Sequence, residues 1–149
     1  MSRIRRIVHP TDFSPASRAA FARATAMAKG SRAELVIVHV LSVVVLPISG
    51  EAYVSPRVYD EVSTAMHASA RKQLDARVRK ARKAGVRARS LLLEGVAHER
   101  ILRAARSQRA GVIVMGTHGR SGLAKLFLGS VAQRVVTLAT CPVITVRGR

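Results

Sequence analysis

Only one cysteine, Cys141, occurs in the 149 residues. No intrachain disulfide can form, which suits a reducing compartment. Tryptophan is absent, and the aromatics are three Phe and two Tyr. The core must therefore come from Val, Ile, Leu and Ala, as in parallel sheets. The five histidines show no His-x-x-x-His spacing and there is no cysteine pair, which leaves no case for structural zinc. Acids are scarce, with 8 Asp plus Glu against 26 Lys plus Arg and a formal net charge of +18. No apolar run approaches the roughly 20 residues that span a bilayer. The segment Met1-Ser-Arg-Ile-Arg-Arg-Ile-Val lacks the hydrophobic region of a signal peptide, so a cytoplasmic protein is expected. Two phosphate signatures are missing as well. There is no Gly-Lys-Ser/Thr run and no G-x-G-x-x-G, which excludes a standard P-loop NTPase and a dehydrogenase.

The length fits one domain, residues 1–149, with a real core. Strand and helix patterns alternate along it. Ile4 to His9 reads as a short apolar strand. Ser14-Pro15 reads as an N-cap followed by proline at the first helical position. That helix is expected to reach Lys29 and stop at Gly30. Glu34 to Leu41 is an apolar run suited to a strand buried on both faces. Ser42 to Arg57, with Pro47, Gly50 and Pro56, has no period and reads as a loop. Val58, Val62, Met66, Ala70, Leu74, Val78 and Ala81 then form a slowly winding apolar stripe on a helix over about 58–84. Val86 to Leu93 mixes Arg87 and Arg89 with apolar residues, as an edge strand would. A helix over 95–107, a strand over 111–116, a helix over 130–138 and a strand over 142–146 complete the chain. Alternating strands and helices lead to a doubly wound parallel sheet, whose ligands bind beyond the carboxyl ends of the strands at the point where strand order reverses.

The most specific feature is Val112-Ile-Val-Met-Gly116-Thr-His-Gly119, nine further residues, then Gly129-Ser130. A buried strand runs into two close glycines, and a third glycine with a serine opens a helix. Glycine lets backbone N–H groups approach a ligand. A helix N-terminus adds unpaired N–H donors and partial positive charge. The combination suits the phosphates of a nucleotide.

The spacing G-x2-G-x9-G-S resembles that of the universal stress protein family. His9-Pro-Thr-Asp-Phe-Ser14-Pro, Val38-His39-Val40 and Cys141-Pro-Val-Ile-Thr-Val146 stand in register with it, so the resemblance covers essentially the whole chain. It implies a doubly wound five-stranded parallel sheet of order 3-2-1-4-5 with helices on both faces. It also implies an ATP site, with Mg²⁺ on the phosphates, drawn from Pro10, Thr11, Asp12, Val40, Met115, Gly116, His118, Gly119, Arg120, Gly129, Ser130 and Val131. Members commonly dimerise through the last strand, which implies a homodimer with Val143, Ile144 and Val146 at the contact.

Several of these residues have a second, plainer reading. Asp12 suits ribose hydroxyls or a metal near the phosphates, and equally an Asx turn that starts the first helix. Met115 suits core packing. His118 flanks the phosphates more naturally than it serves as acid or base. Arg120 and Lys125 suit a phosphate or solvent, and Phe127 lies in the spacer. His9 and His39 end buried strands and read as core or rim residues. No arginine finger or water-orienting carboxylate is evident beside Asp12, so ATP hydrolysis is expected to be slow or absent. The expected function is a nucleotide-responsive stress or regulatory protein. The alternative rests on the nine Lys and Arg between Arg71 and Arg89. Either they form a solvated helix face, or they make an ATP-independent module that binds nucleic acid or acidic partners. The lack of base-stacking aromatics limits nucleic-acid binding to a nonspecific kind.

Overall fold

A computed structural model describes residues 3–42, 54–118 and 128–148. The elements run β1 (Arg6–Pro10), α1 (Pro15–Ser31), β2 (Glu34–Leu41), α2 (Pro56–Lys83), β3 (Ala88–Glu94), α3 (Ala97–Ser107), β4 (Val112–Gly116), α4 (Ser130–Leu138) and β5 (Val143–Val146). The strands pair in parallel in the order β3-β2-β1-β4-β5. This is the expected sheet, with β3 and β5 at its edges.

Strand alternation divides the core into two layers. Ile7, Leu35, Ile37, Val112 and Val114 face α1 and α2, where they meet Phe21, Ala24, Leu74 and Val78. Their neighbours Val8, Val36, Val38, Ile113 and Met115 face α3 and α4, against Ile101, Leu102, Ala132 and Val135. Each fully buried Ile or Leu contributes about 1.5–3 kcal/mol by leaving water. Among the described residues Phe21 is the one buried phenylalanine. The Arg77 guanidinium lies 5.4 Å from its ring centroid, the snorkelling contact of a cation close to the apolar stripe.

The helices depart from the sequence reading in their limits, α3 starting at Ala97 rather than 95, and in the reach of one apolar face. First, α2 begins two residues early. Ser55 accepts from the Val58 N–H and Pro56 takes the first turn, as Ser14 and Pro15 do for α1. Residues 43–53 of the expected loop lie outside the described residues. Second, Gly30 does not end α1. The helix runs to Ser31, and Arg32 adopts the left-handed conformation with φ 56°. The Ala33 N–H returns to the Ala28 carbonyl at 3.0 Å and Ala33 is buried, which together form a Schellman stop. The same stop closes α2 at Gly85 (φ 87°) with Val86 N–H on Ala81 O. It closes α3 at Arg109 (φ 51°) with Ala110 N–H on Ala105 O. Third, the α2 stripe is buried only from Ala70 to Ala81, whereas Val58 and Val62 are about half exposed. The first turns of α2 overhang the sheet. With Leu41, Tyr59 and Met66 they line an apolar groove of about 250 Å³.

Three charged side chains close the sheet at the strand N-termini. Glu34 receives Arg6 through one oxygen and Arg89 through the other, both at 3.0 Å. These two guanidiniums hold the Glu34 carboxyl below its usual range, against the opposing effect of its partial burial. Among the described residues no helix is long and apolar enough to cross a membrane.

Candidate functional site

The strand order reverses between β1 and β4, and at the carboxyl ends of β1, β2 and β4 lies a cleft of about 210 Å³. Pro10, Thr11, Asp12, Val40, Met115, Gly116, His118, Gly129, Ser130 and Val131 all line it. Gly119, Arg120, Lys125 and Phe127 fall outside the described residues. The spacing of residues far apart in the chain thus converges on one cavity.

One wall is the β1–α1 loop, which is tightly determined. Phe13 sits at φ 63°, a left-handed conformation that is unusual for a bulky residue. Polar contacts on either side of it hold that conformation. The Thr11 N–H donates to Val38 O at 2.8 Å. His39 Nδ1–H donates to Thr11 O at 2.7 Å, and the His39 ring lies 4.4 Å from that of Phe13, centroid to centroid. The Phe13 N–H donates to Thr11 Oγ1 at 3.0 Å. The Ser17 hydroxyl donates to Ser14 O at 3.0 Å, so the 2.9 Å bond between Thr11 Oγ1 and Ser17 Oγ takes its proton from Thr11. The N–H, carbonyl and hydroxyl of Thr11 are therefore all engaged in building the loop. Asp12 Oδ1 accepts from Ser14 N–H at 2.9 Å. This is the Asx turn foreseen as its plainer role, and Asp12 lines the cleft as well. Sequence reasoning did not single out His39 and Ser17 as builders of this wall. Their position on a strand end and in a first helical turn is the only trace they leave.

We expect Thr11→Val to destabilise the protein by about 2 kcal/mol, because the Phe13 N–H and Ser17 hydroxyl lose a partner in a poorly hydrated place. Thr11→Ser, which keeps the hydroxyl, should stay within about 1 kcal/mol of the parent. Urea unfolding measures both. A Thr11→Val protein as stable as the parent would show that the hydroxyl does not hold the loop.

The other wall is formed by the ends of β4 and α4. Gly116 ends β4, and a Cβ built there would meet nothing nearer than 3.5 Å, so the fold itself does not demand glycine. The Gly129 N–H donates to Thr117 O at 2.7 Å. That N–H is committed to Thr117 O, and at this helix start the free donors are those of the first turn, Ser130, Val131 and Ala132. Whereas α1 and α2 carry serine caps, α4 begins at Gly129 and α3 at Val96, both without a side-chain cap bond. Both uncapped helices reach the cleft, α3 through Ala97 and Ile101. His118 Nδ1 bonds to Thr117 Oγ1 at 3.0 Å, and His118 Nε2 is buried with no hydrogen-bond partner among the described residues. Among the described residues lining the cleft, Asp12 is the only acid and there is no Lys or Arg. Met115 is 5% exposed. It belongs to the core and presents only an edge to the cleft.

His9 lies beneath the first wall, fully buried. Its Nδ1–H donates to Val114 O at 2.9 Å, its ring sits 5.8 Å from Phe21, and its Nε2 has no partner among the described residues. Burial pushes its pKa down from 6.5 to about 4.

The universal stress protein family model matches residues 3–147. The chain is 35% identical over 146 residues to universal stress protein MJ0531 of Methanocaldococcus jannaschii, across 96% of this chain and 82% of that one. It is also 35% identical over 139 residues to universal stress protein YxiE of Bacillus subtilis, across 91% and 94%. Among solved structures, universal stress protein UspA from Lactobacillus plantarum is similar with a TM-score of 0.82 at 26% identity, covering 99% of this chain and 100% of that one. The universal stress protein from Archaeoglobus fulgidus, solved in complex with dAMP, is similar with a TM-score of 0.66 at 24% identity, covering 98% and 100%.

Proposed function

The chain belongs to the universal stress protein family, and from that premise we propose that it binds an adenine nucleotide, ATP with Mg²⁺, in the cleft at the strand-order reversal. The observation that carries this reading is the uncapped N-terminus of α4 at the cleft wall. Its free N–H donors and positive dipole end suit a phosphate chain. The buried Nε2 of His118, which has no partner among the described residues, adds a further donor once its N–H faces a phosphate oxygen. Asp12 would take the ribose hydroxyls or stand near the metal, and the backbone of Val40 would meet the adenine. The relative solved with dAMP supports an adenine nucleotide of some kind.

On this reading the protein is a nucleotide-responsive regulator in the cytoplasm, and hydrolysis is slow or absent. Asp12 already holds the loop, and phosphoryl transfer needs a group that orients water as well as one that stabilises charge. Mass spectrometry of gently purified protein tests the reading. About one adenine nucleotide per chain supports it. A bare protein that also fails to take up added ATP with Mg²⁺ contradicts it.

The same reading includes a two-fold dimer through β5. That strand is a sheet edge with Val143, Ile144 and Val146 half-buried, and an unpaired apolar edge favours pairing. Sedimentation equilibrium should report a dimer at tens of micromolar, roughly where a modest interface persists. A monomer there would remove this part of the account.

A further inference from the structure

The fold sorts the charges by pole. At the end of the sheet opposite the nucleotide cleft lie the strand N-termini and the C-terminal ends of all four helices. Within residues 3–6, 28–35, 80–89 and 105–112, twelve Lys and Arg face one acid, Glu34. Glu34 is already held by Arg6 and Arg89. Cations near helix C-termini offset the dipole, but four helix ends carry only about half a negative charge each and leave most of this charge unopposed.

The pole also has a shape. A cleft of about 370 Å³ there is lined by Arg3, Lys29, Arg32 and Arg87, and the rest of its wall is Ala28, Ala33, Gly85 and Val86. None of these four cations joins an ion pair among the described residues. The Arg87 guanidinium donates to Arg32 O at 3.3 Å, which anchors it at the cleft wall with donors to spare. Two of the four helix ends at this pole place arginine, Arg32 and Arg109, at left-handed positions where glycine is the unstrained choice. The α2 face is a poorer site. Arg71, Arg77 and Arg82 are turned onto Ser90, the Phe21 ring and Ala88 O of their own chain.

We infer that this pole is a second anion site, separate from the nucleotide cleft, which binds the phosphodiester backbone of a nucleic acid without reading its sequence. Arginine forks fit phosphate oxygens in pairs. The wall between the cations is made of small residues, with no aromatic to stack a base. It also offers no deep apolar pocket for the anchor residue that a protein partner would bring.

Anisotropy of a fluorescein-labelled oligodeoxythymidylate with the full chain tests this. Binding should be measurable at ~50 mM salt and fall steeply with salt. Arg3→Glu, Lys29→Glu and Arg87→Glu together should weaken it about tenfold or more. Lys72→Glu, Arg79→Glu and Arg134→Glu, an equal change of charge elsewhere, should weaken it by less than about threefold. Arg32→Gly should fold at least as well as the parent, because glycine suits φ 56°, and should lower the salt slope by about one. Saturating ATP with Mg²⁺ should leave the affinity unchanged. Equal losses for the two triple variants would reduce the effect to net charge and overturn the site. Competition by ATP would move it to the nucleotide cleft. Displacement by polyglutamate as readily as by DNA would replace the phosphodiester with an acidic protein.

Discussion

Replacing Ser130 with Asp should weaken nucleotide binding about a hundredfold while leaving the protein at least as stable as before. Ser130 is the first residue of α4, is exposed and lines the cleft. The first turn of α4 contains no acid, and a carboxylate there favours the helix dipole by roughly 0.3–1 kcal/mol. The melting temperature should hold or rise by about 2 °C. The same carboxylate would stand where the phosphate chain is proposed to lie. Two unit charges about 4 Å apart repel by about 4 kcal/mol at an effective dielectric of ~20. Solvent screening at an exposed position reduces this, and a loss of about a hundredfold in affinity remains. Ser130→Ala removes one hydroxyl and keeps the backbone donors, so its loss should be only about 1 kcal/mol. The order Ser130→Asp far below Ser130→Ala, in folded proteins, separates a phosphate site from a merely damaged helix. Similar affinities for the two variants would contradict the assignment.

The second large effect is on stability and comes from His9. In the folded protein burial lowers its pKa from 6.5 to about 4, because the charged ring would lose its hydration in a wall of Phe21 and strand side chains. Between these two values the unfolded chain binds a proton that the folded chain refuses, so stability rises with pH there. His9 therefore contributes fully above about pH 6.5, and its contribution is lost as pH falls toward 4. The difference of about 2.5 pKa units corresponds to about 3 kcal/mol. Urea unfolding from pH 7.5 to 4 should show that decline. His9→Leu forfeits the bond to Val114 O and starts from a lower stability, but its decline over the same range should be about 3 kcal/mol shallower. Parallel curves for parent and variant would show that other groups govern the acid sensitivity.

The glycine spacing and the Pro-Thr-Asp stretch were legible as a site because each sits directly after a strand. In a parallel sheet all strand ends fall on one side. The contacts that make the site rigid were not legible. The ring of bonds through Thr11, Ser17 and His39 joins residues 28 positions apart, and nothing in the local sequence marks it. The engagement of the Gly129 N–H by Thr117 O likewise joins residues distant in the sequence. Helix limits failed where a general residue did a special one's work. Arg32 ends α1 in a conformation glycine would favour, because the buried Ala33 and two returning bonds secure it. The start of α2 was readable, since Ser55-Pro56 repeats the signal of Ser14-Pro15, and the helix boundary was set too late. Periodicity located the apolar face of α2 but not its reach. A 28-residue helix extends roughly 42 Å, whereas the eight-residue β2 extends roughly 26 Å. Part of the stripe therefore has no sheet to cover.

The central claim is that the cleft between Asp12 and the N-terminus of α4 holds an adenine nucleotide. Titration calorimetry of ATP with Mg²⁺ into the parent and into Ser130→Asp tests it most directly. The account predicts binding at about one nucleotide per chain for the parent and no measurable heat for the variant at the same concentrations. Equal heats for the two proteins, or none for a folded parent, would contradict it.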